Sequence, residues 1–130
     1  MSDRPLIAPN NFNPVVNAVS MAASFNTPPT IIQRLPGISY DLSWTGTPTG
    51  TFAVQVSNTY QLGLDGVVLN AGNWYDLPSA ALIGTLPTPA GTDGTGFIDV
   101  IGTEAYAVRL AYTASSGDGN LTAVIAAKVI

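Results

Sequence analysis

Apolar and polar residues alternate along most of this chain, in short runs cut by Gly- and Pro-containing turns. Ile38, Tyr40, Leu42 and Trp44 alternate with Ser39, Asp41 and Ser43. A side-chain period of two buries one whole face only if the backbone is extended, so this is the signature of a half-buried strand. Phe52, Val54 and Val56 repeat the pattern, as do Tyr106, Val108, Leu110 and Tyr112 against Ala105, Ala107, Arg109 and Ala111. Leu121, Ala123, Ile125, Ala127 and Val129 close the chain the same way, and no useful length carries a helical period. From Val15 to Phe25 the odd positions are apolar, with Asn17 as the exception.

Turn chemistry separates these runs. Pro36-Gly37 and Thr45 to Gly50 pair a proline's fixed φ with a glycine that tolerates positive φ, Pro28-Pro29 breaks the pattern with fixed φ alone, and Ser115 to Asn120 supplies Gly, Asp and Asn. Ile38–Trp44, the Thr45–Gly50 loop and Thr51–Asn58 read as a hairpin. Asp65-Gly66 marks a smaller one with Val67 to Leu69 as an arm. Thr88 to Gly96 reads as a glycine-rich loop before the strand Phe97–Ile101. About eight short strands result, and two packed antiparallel sheets, a jelly-roll-like sandwich among them, are the natural way to bury their apolar faces. The expected fold is therefore an all-β, two-sheet antiparallel β-sandwich over residues 15–130. Residues 1–14, with Pro5, Pro9 and Pro14, read as an extended N-terminal arm anchored by Leu6, Ile7 and Phe12.

Only 9% of the 130 residues are charged, against a norm of about 25%. Lys and Arg occur only at Arg4, Arg34, Arg109 and Lys128, and the net charge is −4. Four scattered cations cannot supply the phosphate contacts of a nucleic-acid surface or hold an anionic membrane. A polar, uncharged exterior suits a domain whose faces are covered by neighbours, since interface centres are depleted in charge. The first residues lack the order of a signal peptide, and no apolar run is long enough to cross a bilayer, so a protein soluble as made is expected.

The residue types for catalysis are scarce. There is no histidine and no cysteine, which removes the common general base, thiolate chemistry and Cys- or His-based metal sites. Asp65, Asp93 and Asp118 each precede a glycine, where Asp serves the turn's own backbone. A single carboxylate per loop falls short of the oxygen ligands calcium needs. Gly91 to Gly96 lacks the Lys and the helix of a phosphate loop. No catalytic residue, cofactor or metal is expected. Trp44, Tyr40, Tyr106 and Tyr112 fall on apolar faces and read as core, whereas Tyr60, Trp74 and Tyr75 lie in the irregular middle and read as exposed.

YDLSWTGTPTGTFAVQVSN from Tyr40, the later Trp74, Leu77 and Pro78, and YAVRLAYTASSGDGNLTAVIAAK from Tyr106 together resemble a small β-sandwich domain found in structural proteins of tailed bacteriophages. The resemblance spans about Ile38 to Lys128 and departs from that pattern in a longer Tyr60–Ala71 segment. It implies a non-enzymatic virion component: a capsid decoration or cement protein on the head exterior, or a neck or tail accessory. The partners it implies are the major capsid protein and further copies of the chain, a homotrimer being geometrically natural, made soluble in the host cytoplasm. The residues expected to meet a partner are Leu6, Ile7 and Phe12 in the arm and Tyr60, Leu62, Leu64, Trp74 and Tyr75 in the middle. A carbohydrate-binding module using Trp74 and Tyr75 is the alternative.

Overall fold

The computed structural model describes residues 12–32, 37–78, 82–83, 86–101 and 105–127, and among these every regular element is a strand. In chain order they are β1 (Phe12–Ser20), β2 (Phe25–Asn26), β3 (Thr30–Ile31), β4 (Gly37–Gly46), β5 (Thr49–Ser57), β6 (Gln61–Leu62), β7 (Val68–Asn70), β8 (Tyr75–Asp76), β9 (Leu82–Ile83), β10 (Gly94–Ile101), β11 (Ala107–Ser116) and β12 (Gly119–Ala127). One antiparallel sheet has the order β1-β12-β4-β10-β9; the other is β2-β11-β5-β8, with β3 also paired to β11. The pair β6-β7 stands apart as a small ribbon. The expected two-sheet sandwich is therefore present. Its chain alternates between sheets so that β1-β12-β4-β10 faces β2-β11-β5-β8, the strand order of a jelly roll.

One expected pairing is wrong. β4 and β5 do not form a hairpin: β4 pairs with β10 and β12, while β5 pairs with β11 and β8 in the opposite sheet. The two-residue link between them, Thr47-Pro48, explains this. Two-residue hairpin loops need positive φ, which a β-branched residue disfavours and a proline ring forbids. Instead, β12 lies on β4 from Gly119↔Gly46 to Ala127↔Ile38, and β11 lies on β5 from Ser116↔Thr49 to Ala107↔Ser57. The two pairings are halves of one antiparallel ribbon folded over at Thr47-Pro48 and Gly117-Asp118. At the fold the Thr47 N–H donates to the Asp118 carbonyl (2.7 Å), and Gly46 (φ 93°) and Gly117 (φ 79°) take left-handed conformations.

Folding the ribbon stacks its two apolar faces. Tyr40, Leu42, Val54, Val108, Leu110, Leu121 and Ile125 are almost wholly removed from solvent, each such large side chain contributing about 1.5–3 kcal/mol by burial. Trp44, Phe52, Tyr112 and Phe25 form a chain of tilted ring contacts across the core, with centroids 5.9, 5.1 and 5.8 Å apart. The Trp44 indole N–H donates to the Thr92 carbonyl (3.0 Å), and a β-carbon at Gly94 would overlap its ring. Gly94 and Gly96 therefore belong to β10 and not to a preceding loop: glycine here admits a neighbour's side chain and leaves the strand intact.

Part of the stretch expected as an arm is strand, and residues 1–11 lie outside the described residues. β1 begins at Phe12, whose backbone pairs opposite Ala126, so residues 12–14 join the sheet. Pro14 is tolerated because β1 is an edge strand. Leu6 and Ile7 lie outside the described residues. The Asn17 exception marks a bulge: the β1 register shifts between Val16 and Val19, and Ala18 has φ 53°.

Candidate functional site

The end of the second sheet farthest from the ribbon fold differs from the rest of the surface. Val108, Leu110 and Tyr112 point into the core, so Ala107, Arg109 and Ala111 lie on the outer face of β11. Ala107 and its register partners Ile31 and Ser57 are nonetheless buried. At Ser57 the segment after β5 folds back onto the sheet. Ser57 Oγ accepts the N–H groups of Thr59 and Tyr60 (both 3.2 Å), and Gly72 packs so closely on Ser57 and Tyr60 that a β-carbon would not fit.

From this anchor the β6–β7 ribbon projects. Gly63 N–H donates to the Val67 carbonyl (2.7 Å), Gly66 N–H to the Gly63 carbonyl (3.0 Å), and Val67 N–H to the Asp65 carboxylate (3.1 Å). With Gly66 at φ 85°, this is the three-residue hairpin loop ending in a left-handed glycine. The Asp-Gly chemistry that marked it in the sequence closes it. What the ribbon presents is aliphatic: Leu64 and Leu69 are 68% exposed, Val67 56% and Val68 49%. The sandwich core takes none of the four.

Beneath the ribbon runs an open groove of about 410 Å³ lined by Asn58, Tyr60, Gln61, Leu62, Leu69 and Tyr106. Asn58 Oδ1 accepts the Tyr106 N–H (2.9 Å), tying the groove floor to the start of β11. Burial pushes the Tyr60 hydroxyl above the usual tyrosine pKa, and Tyr106 adds in the same direction.

On the exposed part of the same face, a polar row crosses three strands. Asp76 on β8, Gln55 on β5 and Arg109 on β11 are register partners. Gln55 Nε2 donates to Asp76 Oδ1 (2.9 Å), and Arg109 Nε donates to Gln55 Oε1 (2.8 Å). The Arg109 guanidinium lies over the Trp74 ring at 4.3 Å, and partial burial lowers its pKa. Trp74 also donates its indole N–H to the Ala71 carbonyl (2.8 Å) and packs against Tyr60 with centroids 5.8 Å apart.

The structure brings five of the eight expected contact residues to one end of the molecule. Leu64 and Tyr75 (66% exposed) are at the surface, while Leu62 and Trp74 are half-buried. Tyr60 is a correction: it is buried, because the segment it begins folds back on the sheet. Tyr106 is another, since it precedes β11 and lines the groove, where a core position was expected. Sequence reasoning missed Val67, Val68 and Leu69 as surface contacts. Their signal was three aliphatics between Gly66 and Asn70, a run too short to cross a sheet. It also missed the Asp76-Gln55-Arg109 row, whose members are far apart in sequence.

Among the described residues no three metal-ligating side chains come together, and no helix is long and apolar enough to cross a membrane. The Asp93 carboxylate accepts the Gly46 N–H (2.7 Å) and that of Asp118 accepts the Gly119 N–H (2.7 Å). Comparison with protein-family models, curated proteins and solved structures finds no match.

Proposed function

We propose that this chain is a non-enzymatic virion structural protein, a capsid decoration that docks on the outside of the head through the β6–β7 arm and adjoining sheet face. The observation that carries the docking role is the exposed quartet Leu64, Val67, Val68 and Leu69 on a hydrogen-bonded ribbon. Aliphatic side chains clustered outside the core of a small domain mark a contact surface. Their backbone is ordered by its own turn, so docking costs little conformational entropy. The charge-poor composition and the resemblance of the Tyr40–Asn58 and Tyr106–Lys128 segments to phage structural domains supply the partner: the major capsid protein, with further copies of this chain at neighbouring positions. A jelly roll by itself serves capsid and lectin domains alike, so the choice between them is argued from the surface.

A glycan platform is the weaker reading. Trp74 and Tyr75 are consecutive on or beside β8 and so project to opposite sides, and Arg109 covers a face of the Trp74 ring. The test is co-sedimentation of the purified protein with undecorated heads. The wild type is expected to bind saturably, and Leu64→Ser/Leu69→Ser to lose at least about tenfold in affinity, as for truncated interface anchors. Equal binding by the double variant overturns the assignment of the arm.

A further inference from the structure

Arg109 is the only Lys or Arg among the described residues, and its hydrogen-bonding capacity is only partly used. Its Nε–H is taken by Gln55 and one face of its guanidinium by Trp74. The four Nη–H donors have no partner among the described residues. The nearest acid in the row, Asp76, engages the amide of Gln55, which turns the amide oxygen toward Arg109. Gln55 thus acts as a spacer: it orients the guanidinium without neutralising it. A guanidinium held along its Nε edge and across its face, with its Nη fork open, is prearranged for a planar two-oxygen acceptor.

We propose that Arg109 is the recognition point for a carboxylate, the Glu or Asp side chain of the protein on which this domain docks. The proposal rests on the protein-docking reading and specifies the chemistry its partner presents at this face. Arg, Trp and Tyr are the residues enriched where binding energy concentrates in protein interfaces, and Arg109, Trp74 and Tyr60 are in contact or consecutive ring-to-ring here. Holding the guanidinium in advance removes part of the ordering cost that a free arginine side chain would bring to binding. A cation that is the only one among the described residues, on a chain of net charge −4, also selects against partners whose facing surface is basic at this point.

The test has a probe that does not depend on the partner's identity. Side-chain nitrogen NMR is recorded while the blocked amino acid N-acetyl-glutamate amide, whose only charge is its carboxylate, is titrated into the full-length protein. Saturable shifts at the Arg109 guanidinium and the Trp74 indole are expected. The N-acetyl-glutamine amide should give none, and Arg109→Lys, which keeps the charge but loses the fork, should weaken the response at least tenfold. No shift with the glutamate probe, an equal response in Arg109→Lys, or tighter binding of the sugar acid N-acetylneuraminic acid overturns the proposal. The particle assay forms the second arm. Weaker head binding by Arg109→Lys supports the proposal, and unchanged head binding overturns it. A glutamate response in a protein that does not bind heads at all leaves the carboxylate site standing and removes the virion reading.

Discussion

Gly117 packs against the backbone carbonyl of Thr47 so closely that a β-carbon on Gly117 would overlap it, and this contact lets the ribbon fold over on itself. Gly117 also sits at φ 79°. Gly117→Ala therefore combines a left-handed backbone penalty with a clash against main chain that has no rotamer to relieve it, and should cost more than about 2 kcal/mol. Gly66 is the matched control, with φ 85° and open space around it. Gly66→Ala should cost only the backbone term, about 1 kcal/mol. Urea midpoints of the two variants check the difference, and equal losses would mean the ribbon fold does not depend on the close approach.

Tyr40 carries a buried hydroxyl with no hydrogen-bond partner among the described residues. Tyr40→Phe removes a stranded polar group while keeping the ring, so it should be neutral or stabilising, by up to about 1 kcal/mol. Burial raises the Tyr40 pKa well above its ordinary value. A raised folded-state pKa keeps the proton on the folded form, so this stability is intact below about pH 10 and declines as pH rises further. The loss approaches about 1.4 kcal/mol per pH unit for each such tyrosine. Tyr112, also buried and with no hydroxyl partner among the described residues, shifts the same way. Alkaline denaturation of Tyr40→Phe should set in at higher pH than that of the wild type.

Ser57 holds the folded-back segment by accepting two backbone N–H groups. Ser57→Ala leaves both without that acceptor, at a cost of about 1–3 kcal/mol. Because the segment lies outside the sandwich core, the loss should appear as local opening. Amide exchange is expected to rise at Thr59 to Asn73 and to stay unchanged at Leu110 and Leu121. Uniform acceleration would mean that the segment and sandwich unfold together.

The period of two revealed the strands and which of their faces is buried, as Ile38 to Trp44 and Leu121 to Ile125 illustrate. It could not reveal which strands are neighbours. β4 and β5 both turn an apolar face to the same core, and that pattern is identical for a hairpin within one sheet and a fold between two. Pro48 held the answer, because proline at a two-residue link excludes the hairpin turn. The candidate site was half legible. Leu64 and Tyr75 stand out as apolar residues in a Gly- and Asn-rich stretch, and both are exposed. Tyr60 and Tyr106 were misplaced because neither lies within a strand, so periodicity says nothing about them. The Asp76-Gln55-Arg109 row depends on register across three strands, which no local pattern encodes.

Leu64→Ser/Leu69→Ser should change stability by no more than about 0.5 kcal/mol, since both side chains are already mostly in solvent. Thermal unfolding of the variant alongside the head-binding assay separates a lost contact from a lost fold. A large drop in melting temperature would mean that these leucines support the fold.

The proposed role of this chain is decoration of a viral head. The direct measurement is its copy number in purified particles from the source lysate, by quantitative mass spectrometry against the major capsid protein. Copies in a fixed, high ratio to that protein, on the order of one per local symmetry position, are the predicted result. A handful per particle would move the chain to the neck or tail, and its absence from particles would contradict the virion assignment.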